Sequence, residues 1–102
     1  MPAFFCKLNA PRPSFAFDMS EDESRIMDDH AKYWKQWMEK GNVIAFGLVA
    51  DDAGAFGVGL VEFDDAVLAR TFADNDPTIR SGRGFTLDVL PMPMGLVRKN
   101  AQ

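Results

Sequence analysis

The chain has 102 residues, of which 47% are hydrophobic and nine are phenylalanine, so we expect a single domain over residues 1–102 with one apolar core. Its formal net charge of -4 argues against a nucleic-acid partner, which would require a basic surface. The lone cysteine, Cys6, cannot form an intrachain disulfide and is expected to be a buried free thiol in a reducing compartment. No signal-peptide pattern opens the chain, and the longest apolar stretch, Val43 to Ala50, is far below the roughly 18 residues of a membrane span. We therefore expect a cytoplasmic protein without a membrane partner.

The first segment predicts a strand followed by a loop. Ala3 to Leu8 is short and rich in aromatic residues, which is typical of a strand. Asn9 to Met19 contains Pro11-Arg12-Pro13, which cannot continue a strand ladder, and is therefore expected to be a loop.

A long helix follows the loop. Ser20 and Glu23 form a capping box, in which each side chain satisfies an otherwise unpaired backbone N–H group, and Gly41 ends the helix. Apolar residues recur at spacings of three and four along one expected buried stripe, which consists of Met27, His30, Trp34, Trp37 and Met38.

The middle of the chain predicts a hairpin. Asn42 to Ala50 is a largely apolar strand, Asp51 to Gly54 has turn chemistry, and Ala55 to Phe63 returns as a second strand. In this return strand Gly57 and Gly59 point to the same face, which indicates that a helix or a ligand packs closely there.

The last part of the chain predicts a second helix and a fourth strand. Asp64 or Asp65 caps the helix, and the residue before Pro77 is pushed out of helical geometry, which ends it at Asn75-Asp76. Phe85 to Leu90 alternates apolar and polar residues as a strand, and the tail from Pro91 is expected to be irregular and to lie across a partner. The inward-facing residues expected on the second helix are Val67, Leu68 and Phe72.

The element order is strand, helix, strand, strand, helix, strand. This order is typical of an α+β, ferredoxin-like βαββαβ fold, in which two helices cover one face of a four-stranded antiparallel sheet. The other face remains bare, and the aromatic content of the chain suggests that it is apolar. We therefore expect a homodimer that buries sheet against sheet, forming a dimeric α+β barrel.

His30 and Asp76 are the candidate catalytic residues. His30 is the only histidine and lies on the apolar face of the long helix, while Asp76 closes the second helix. If folding pairs them, the aspartate would fix one imidazole tautomer and favour the charged ring, making His30 a candidate general base. The alternatives are a core histidine that donates to a backbone carbonyl and an aspartate that serves ordinary turn chemistry.

Four further residues are candidates for substrate binding. Arg12 and Arg80 could aim a guanidinium at a substrate oxygen, although each could equally be a surface arginine. Trp34 could wall an apolar pocket or simply belong to the core, and Ser81 could donate to substrate or serve a turn. With one histidine, one cysteine and no tight carboxylate cluster, we expect no metal site.

The chain resembles the YciI, or YCII-related, family from about Phe4 to Pro91. The residues that carry the resemblance are His30, Tyr33-Trp34, Gly41, Ile44-Ala45-Phe46-Gly47, the Asp52–Gly54 turn, Gly57 and Gly59, Asp76-Pro77 and Ser81-Gly82. The resemblance implies a dimeric α+β barrel with a His–Asp site in a cleft between sheet and helix, and neither a metal nor an organic cofactor. It also implies chemistry of the lyase or dehydrohalogenase kind.

These observations lead to one expected function and two alternatives. The first is an enzyme in which His30, oriented by Asp76, performs lyase, isomerase or dehydrohalogenase chemistry on a small cyclic or aromatic acid. The second is a non-catalytic domain that binds a small molecule. The third is a cofactor-free monooxygenase of the same barrel class.

Overall fold

Four strands and two longer helices follow one another in the predicted order, and two short helices are added to them. The computed structural model describes residues 1–95; residues 96–102, which include the end of the tail expected to be irregular, lie outside the described residues. The strands are β1 (Ala3–Asn9), β2 (Val43–Val49), β3 (Phe56–Glu62) and β4 (Thr86–Pro91), and the helices are α1 (Phe15–Asp18), α2 (Glu21–Glu39), α3 (Ala66–Asp74) and α4 (Pro77–Arg80). Within residues 1–95, no helix combines the length and the apolar character needed to cross a membrane.

The sheet is antiparallel throughout, with the strand order β2-β3-β1-β4. This order confirms the ferredoxin-like prediction. Because side chains alternate across a strand, Phe4, Cys6 and Leu8 of the central strand β1 all point to the same face, and all three are buried. Cys6 lies opposite Gly59 of β3 on one side and Val89 of β4 on the other. The core therefore lies between this face and the helices.

Helix α2 begins as the sequence predicts. The side chain of Ser20 accepts from the backbone N–H of Glu23 at 3.2 Å, and the Glu23 carboxylate accepts from the N–H of Ser20 at 2.8 Å. The predicted stripe is correct except at its end, because Met38 is 38% exposed. Met38 lies about 80° around the helix axis from His30, at the edge of the buried face.

The predicted inward face of α3 is wrong at two positions. Val67 is 72% exposed and Leu68 is also exposed, whereas Ala69, Phe72 and Ala73 are buried. Val67 lies about 140° around the axis from Phe72, and Leu68 belongs to the first turn of the helix. Two alanines, rather than larger side chains, occupy the buried face beside Phe72.

The two short helices were not predicted. Helix α1 forms inside the segment expected to be a loop, where the N–H groups of Phe17 and Asp18 both donate to the carbonyl of Ser14. Asp76 ends the turn after α3 in an extended conformation, as the following proline requires, and then caps α4, with Pro77 in its first turn. One residue therefore both ends the chain reversal and begins the next helix.

Gly59 provides the space in which Trp34 packs on the sheet. A Cβ atom built on Gly59 would overlap the six-membered ring of Trp34, which is a rigid group held by the core. The prediction that the bare glycine face admits a closely packed element is therefore confirmed, and that element is the indole of α2.

The variant Gly59→Ala is expected to lower the free energy of unfolding by about 2 kcal/mol, because the added methyl group overpacks the core. The matched control is Gly47→Ala in β2, where no atom lies within 4 Å of the new Cβ. That control is expected to be neutral or slightly stabilising, since alanine restricts the unfolded chain more than glycine. Urea unfolding of both variants measures the difference; equal stabilities would contradict the packing described for Trp34.

Candidate functional site

The fold brings His30 of α2 into direct contact with Asp76, the residue that caps α4. The Nδ1 atom of His30 lies 2.8 Å from Oδ2 and 3.0 Å from Oδ1 of Asp76. Asp76 is completely buried and His30 is only 9% exposed, so the contact is shielded from bulk water. The two residues are separated by 46 positions in the chain, so this contact is a product of the tertiary fold.

Three other groups donate to the same carboxylate. The Nε1–H of Trp34, one helical turn after His30, donates to Oδ2 at 2.5 Å. The backbone N–H and the hydroxyl of Thr78 donate to Oδ1 at 2.9 Å and 2.8 Å. Burial alone would raise the pKa of Asp76, but donation by His30, Trp34 and Thr78 outweighs burial and holds that pKa below its ordinary value. Asp76 is therefore a buried carboxylate, ionised and fully hydrogen-bonded.

The ionised carboxylate determines the imidazole tautomer. A carboxylate can only accept hydrogen bonds, so the Nδ1 atom of His30 must carry the proton that it donates. The neutral ring then has its lone pair on Nε2. Nε2 has no hydrogen-bond partner within residues 1–95, where every completely buried side-chain nitrogen or oxygen has one, so Nε2 is not completely buried.

A cavity of about 320 Å³ lies beside His30, between α2, the sheet and the segment before α2. His30 and Trp34 contribute to one wall, Gly57 and Gly59 to the sheet side, and Phe15 to the side formed by α1. An engineered apolar cavity of about 150 Å³ is enough to bind benzene, so this cavity has room for a substituted ring. His30 thus lies in the wall of a space that can hold a small molecule.

Cys6 also lines this cavity. It is a free thiol with almost no exposure, as predicted. Burial raises the pKa of the Cys6 thiol to about 12; the charge of Arg70 opposes this shift and that of Asp76 adds to it. The thiol is therefore neutral and behaves as part of the apolar wall.

The structure does not bring three of the predicted substrate-binding residues to the cavity. The guanidinium of Arg12 is bound by the carboxylates of Asp18 and Glu23, at 2.8 Å in each case. Ser81 donates its hydroxyl to the carbonyl of Thr78 at 2.6 Å, and Arg80 lies in the last turn of α4. Trp34 does line the cavity, as expected, and in addition donates to Asp76.

Thr78 is the site residue that sequence analysis missed. The signal was present in Asp76-Pro77-Thr78, since an aspartate followed by proline at the first helical position is a strong helix start. The capped residue at the second position then donates its N–H to the aspartate. Interpreting Asp76 only as the end of α3 concealed this second role.

Arg12 fastens the segment that closes one side of the cavity. Its Nη1 and Nη2 atoms donate to both oxygens of Glu23, and its Nε donates to Asp18. Donation by Arg12, together with the N–H of Ser20, lowers the pKa of Glu23 to about 2, so this ion pair persists over the ordinary pH range. Phe15, Ala16 and Met19, which line the cavity, lie within the fastened segment.

Arg12→Ala is expected to raise the alkylation rate of Cys6 by iodoacetamide roughly tenfold, which corresponds to a loss of about 1.4 kcal/mol in the free energy of local opening. Cys6 is a suitable reporter because it is the only cysteine and lies in the cavity wall. The alkylation rate should depend only weakly on the urea concentration, since local opening of the segment exposes little surface.

The matched control is Arg25→Ala, which removes an exposed arginine paired with Asp22 on the same helix. It should leave the alkylation rate unchanged. If both variants react at the rate of the unaltered protein, the segment held by Arg12 does not control access to the thiol.

No group of three or more histidine, cysteine, aspartate or glutamate side chains within residues 1–95 is arranged to hold a metal ion. The reactive pair at the cavity is one imidazole held by a carboxylate. In that arrangement Nε2 can take up a proton, and Asp76 stabilises the cation that results.

Comparison with known proteins agrees with this architecture. No curated protein matches the sequence. One similar solved structure is the 5-chloro-2-hydroxyhydroquinone dehydrochlorinase of Burkholderia phenoliruptrix AC1100 in complex with 2,5-dihydroxybenzoquinone. It has 15% sequence identity and a TM-score of 0.56, and the alignment covers 83% of this chain and 90% of that chain, which shows a shared fold. The YCII-related domain matches residues 3–93, a range that contains all four strands, all four helices and both residues of the His–Asp contact. This chain belongs to the YCII-related family.

Proposed function

We propose that this protein is an enzyme in which His30 acts as a general base on a small cyclic substrate, without a cofactor. One observation carries the proposal: a buried, ionised Asp76 holds Nδ1 of His30, while Nε2 is accessible beside a cavity that fits one substituted ring. A base held in this way combines a fixed tautomer with largely apolar surroundings.

The reaction class that fits is proton abstraction followed by elimination or isomerisation. Nε2 takes a proton from a carbon next to a carbonyl or from a ring hydroxyl, and the imidazolium is stabilised by Asp76, which keeps its own negative charge. In an elimination, the electron pair of the broken C–H bond forms a double bond, and the leaving group on the neighbouring carbon departs with its own pair. The similar structure is that of a dehydrochlorinase, which supports testing elimination of chloride first.

Trp34 and Thr78 are positioning residues in this proposal. Their donors occupy the remaining lone pairs of the Asp76 carboxylate, so the carboxylate cannot rotate away from the imidazole. They also favour its ionised form, which keeps the aspartate from taking the proton itself.

The proposal predicts that turnover depends on the pair. With 5-chloro-2-hydroxyhydroquinone as the first compound in a chloride-release assay, His30→Gln is expected to lower kcat/KM by about 10³-fold, within the usual range for losing a general base. Asp76→Asn should lower it by a similar factor, because the amide no longer fixes the Nδ1–H tautomer. Asp74→Asn, the same substitution on the exposed side of α3, should leave the rate unchanged.

Full turnover in His30→Gln would contradict the proposal that His30 is the general base. A separate measurement needs no substrate: ¹⁵N NMR of the single histidine should show a protonated Nδ1 and an unprotonated Nε2 at pH 8. The opposite tautomer would contradict the orientation on which the proposal depends.

A non-catalytic binding domain is the second candidate, and one observation favours it. Among the described residues, 1–95, the side chains that line the cavity include no second donor to stabilise a developing oxyanion. This candidate expects saturable ligand binding that survives His30→Gln and yields no product. Calorimetry together with product analysis separates the two functions.

We also propose that the protein acts as a cytoplasmic homodimer. The sheet face opposite the helices carries Phe5, Val58, Leu60 and Leu90, and Leu90 is 54% exposed. A second copy would cover this apolar surface through a symmetric contact. Sedimentation equilibrium gives the mass in solution directly and contradicts the proposal if it equals that of one chain.

A further inference from the structure

Apart from the titratable ring of His30, the wall of the cavity has no ionised side chain within residues 1–95. The side chains that line it within residues 1–95 include no aspartate, glutamate, lysine or arginine. Among the polar side chains of the wall, the thiol of Cys6 is neutral and the N–H of Trp34 is bound to Asp76. Among the side chains of residues 1–95 that line the wall, His30 is therefore the one that can offer a ligand a strong hydrogen bond, through Nε2.

The cations near this region are engaged elsewhere. Arg12 is held by Asp18 and Glu23, as described above. Arg70 donates to the carbonyl of Leu87 at 2.8 Å and pairs with Asp74, and it does not line the cavity. The ammonium group of Lys7 lies 4.5 Å from the centre of the Phe56 ring and is not part of the wall.

A ligand anion would meet an unfavourable environment in this cavity. Its carboxylate would lose water and gain no arginine or lysine in return, and transferring an unpaired charge into apolar surroundings is costly. The carboxylate of Asp76, in direct contact with His30, adds a like charge nearby. A neutral hydroxyl group has neither disadvantage, because it can donate one hydrogen bond to Nε2 and leave its ring against apolar side chains.

We infer that the cavity selects uncharged, hydroxylated single-ring compounds and discriminates against ring carboxylates. This inference deepens the proposed function and rests on it for the role of His30. It departs from the small cyclic or aromatic acid expected from the sequence, because neither Arg12 nor Arg80, the arginines considered there for a substrate oxygen, lines the cavity. The ligand's hydroxyl donates to Nε2, and the same hydrogen bond places its proton where the base can take it.

The test compares three compounds of similar size by calorimetry at pH 7: 4-chlorophenol, chlorobenzene and 4-chlorobenzoate. A phenol with a pKa of about 10 is neutral at this pH, whereas a benzoate, like other carboxylic acids, is ionised. We expect 4-chlorophenol to bind at least tenfold more tightly than 4-chlorobenzoate, and severalfold more tightly than chlorobenzene. In His30→Leu the preference for the phenol over chlorobenzene should disappear.

A charge introduced at the rim tests the electrostatic cause. Leu48 lines the cavity and is 69% exposed, so Leu48→Arg can be accommodated and should raise the affinity for 4-chlorobenzoate at least fivefold. Val67→Arg is the matched control, because Val67 is 72% exposed on α3 and does not line this cavity.

Three results would overturn the inference: equal or tighter binding of the benzoate by the unaltered protein, no binding of any of the three compounds at millimolar concentration, or an equal gain in Leu48→Arg and Val67→Arg. The inference and the proposed function fail separately. A preference for the phenol without any turnover would contradict the proposed enzyme activity and support the inferred ligand class. Turnover of ring carboxylates would support the enzyme activity and contradict the ligand class.

Discussion

The buried carboxylate of Asp76 is the constraint on which the rest of the site depends. An ionised group without solvent is tolerated only when donors surround it, and here the donors come from the middle of α2 and from the first turn of α4. Those donors fix the position of α4 against α2 and at the same time fix the ring of His30. The side chain of Asp76 therefore both holds the two helices together and orients the imidazole, and a substitution at Asp76 affects both roles.

The second constraint is the absence of a side chain at one position of the sheet, Gly59. With no side chain at Gly59, the Trp34 ring lies close enough to the strands to pack on Phe72 and still reach Asp76 with its N–H group. The two glycines of β3 also leave depth for the cavity. The glycines of β3 thus let Trp34 pack in the core, let its N–H group reach the Asp76 carboxylate, and leave space for a ligand.

Much of this could be predicted from sequence because the informative signals are local. The capping box at Ser20, the hairpin turn before β3 and the period of α2 each involve neighbours in the chain, and they give the element order and hence the sheet. The contact of His30 with Asp76 was suggested by residue type and family resemblance; its distances, the donors from Thr78 and the charge of the wall required the fold. Arg12 shows the limit most clearly, since a guanidinium on a proline-stiffened loop looks the same in sequence whether it faces a ligand or two carboxylates.

The fastening of Arg12 has a consequence for how such a site can diversify. Its polar partners, Asp18 and Glu23, all lie within residues 12–23, so the segment that forms one side of the cavity is stabilised by itself and by the start of α2. The donors to the Asp76 carboxylate come from α2 and α4, so a changed side chain at Met19 in this segment removes none of them. In a fold arranged in this way, substitutions in one short segment can change which ligand shapes the cavity accepts. The His–Asp pair is then under separate selection.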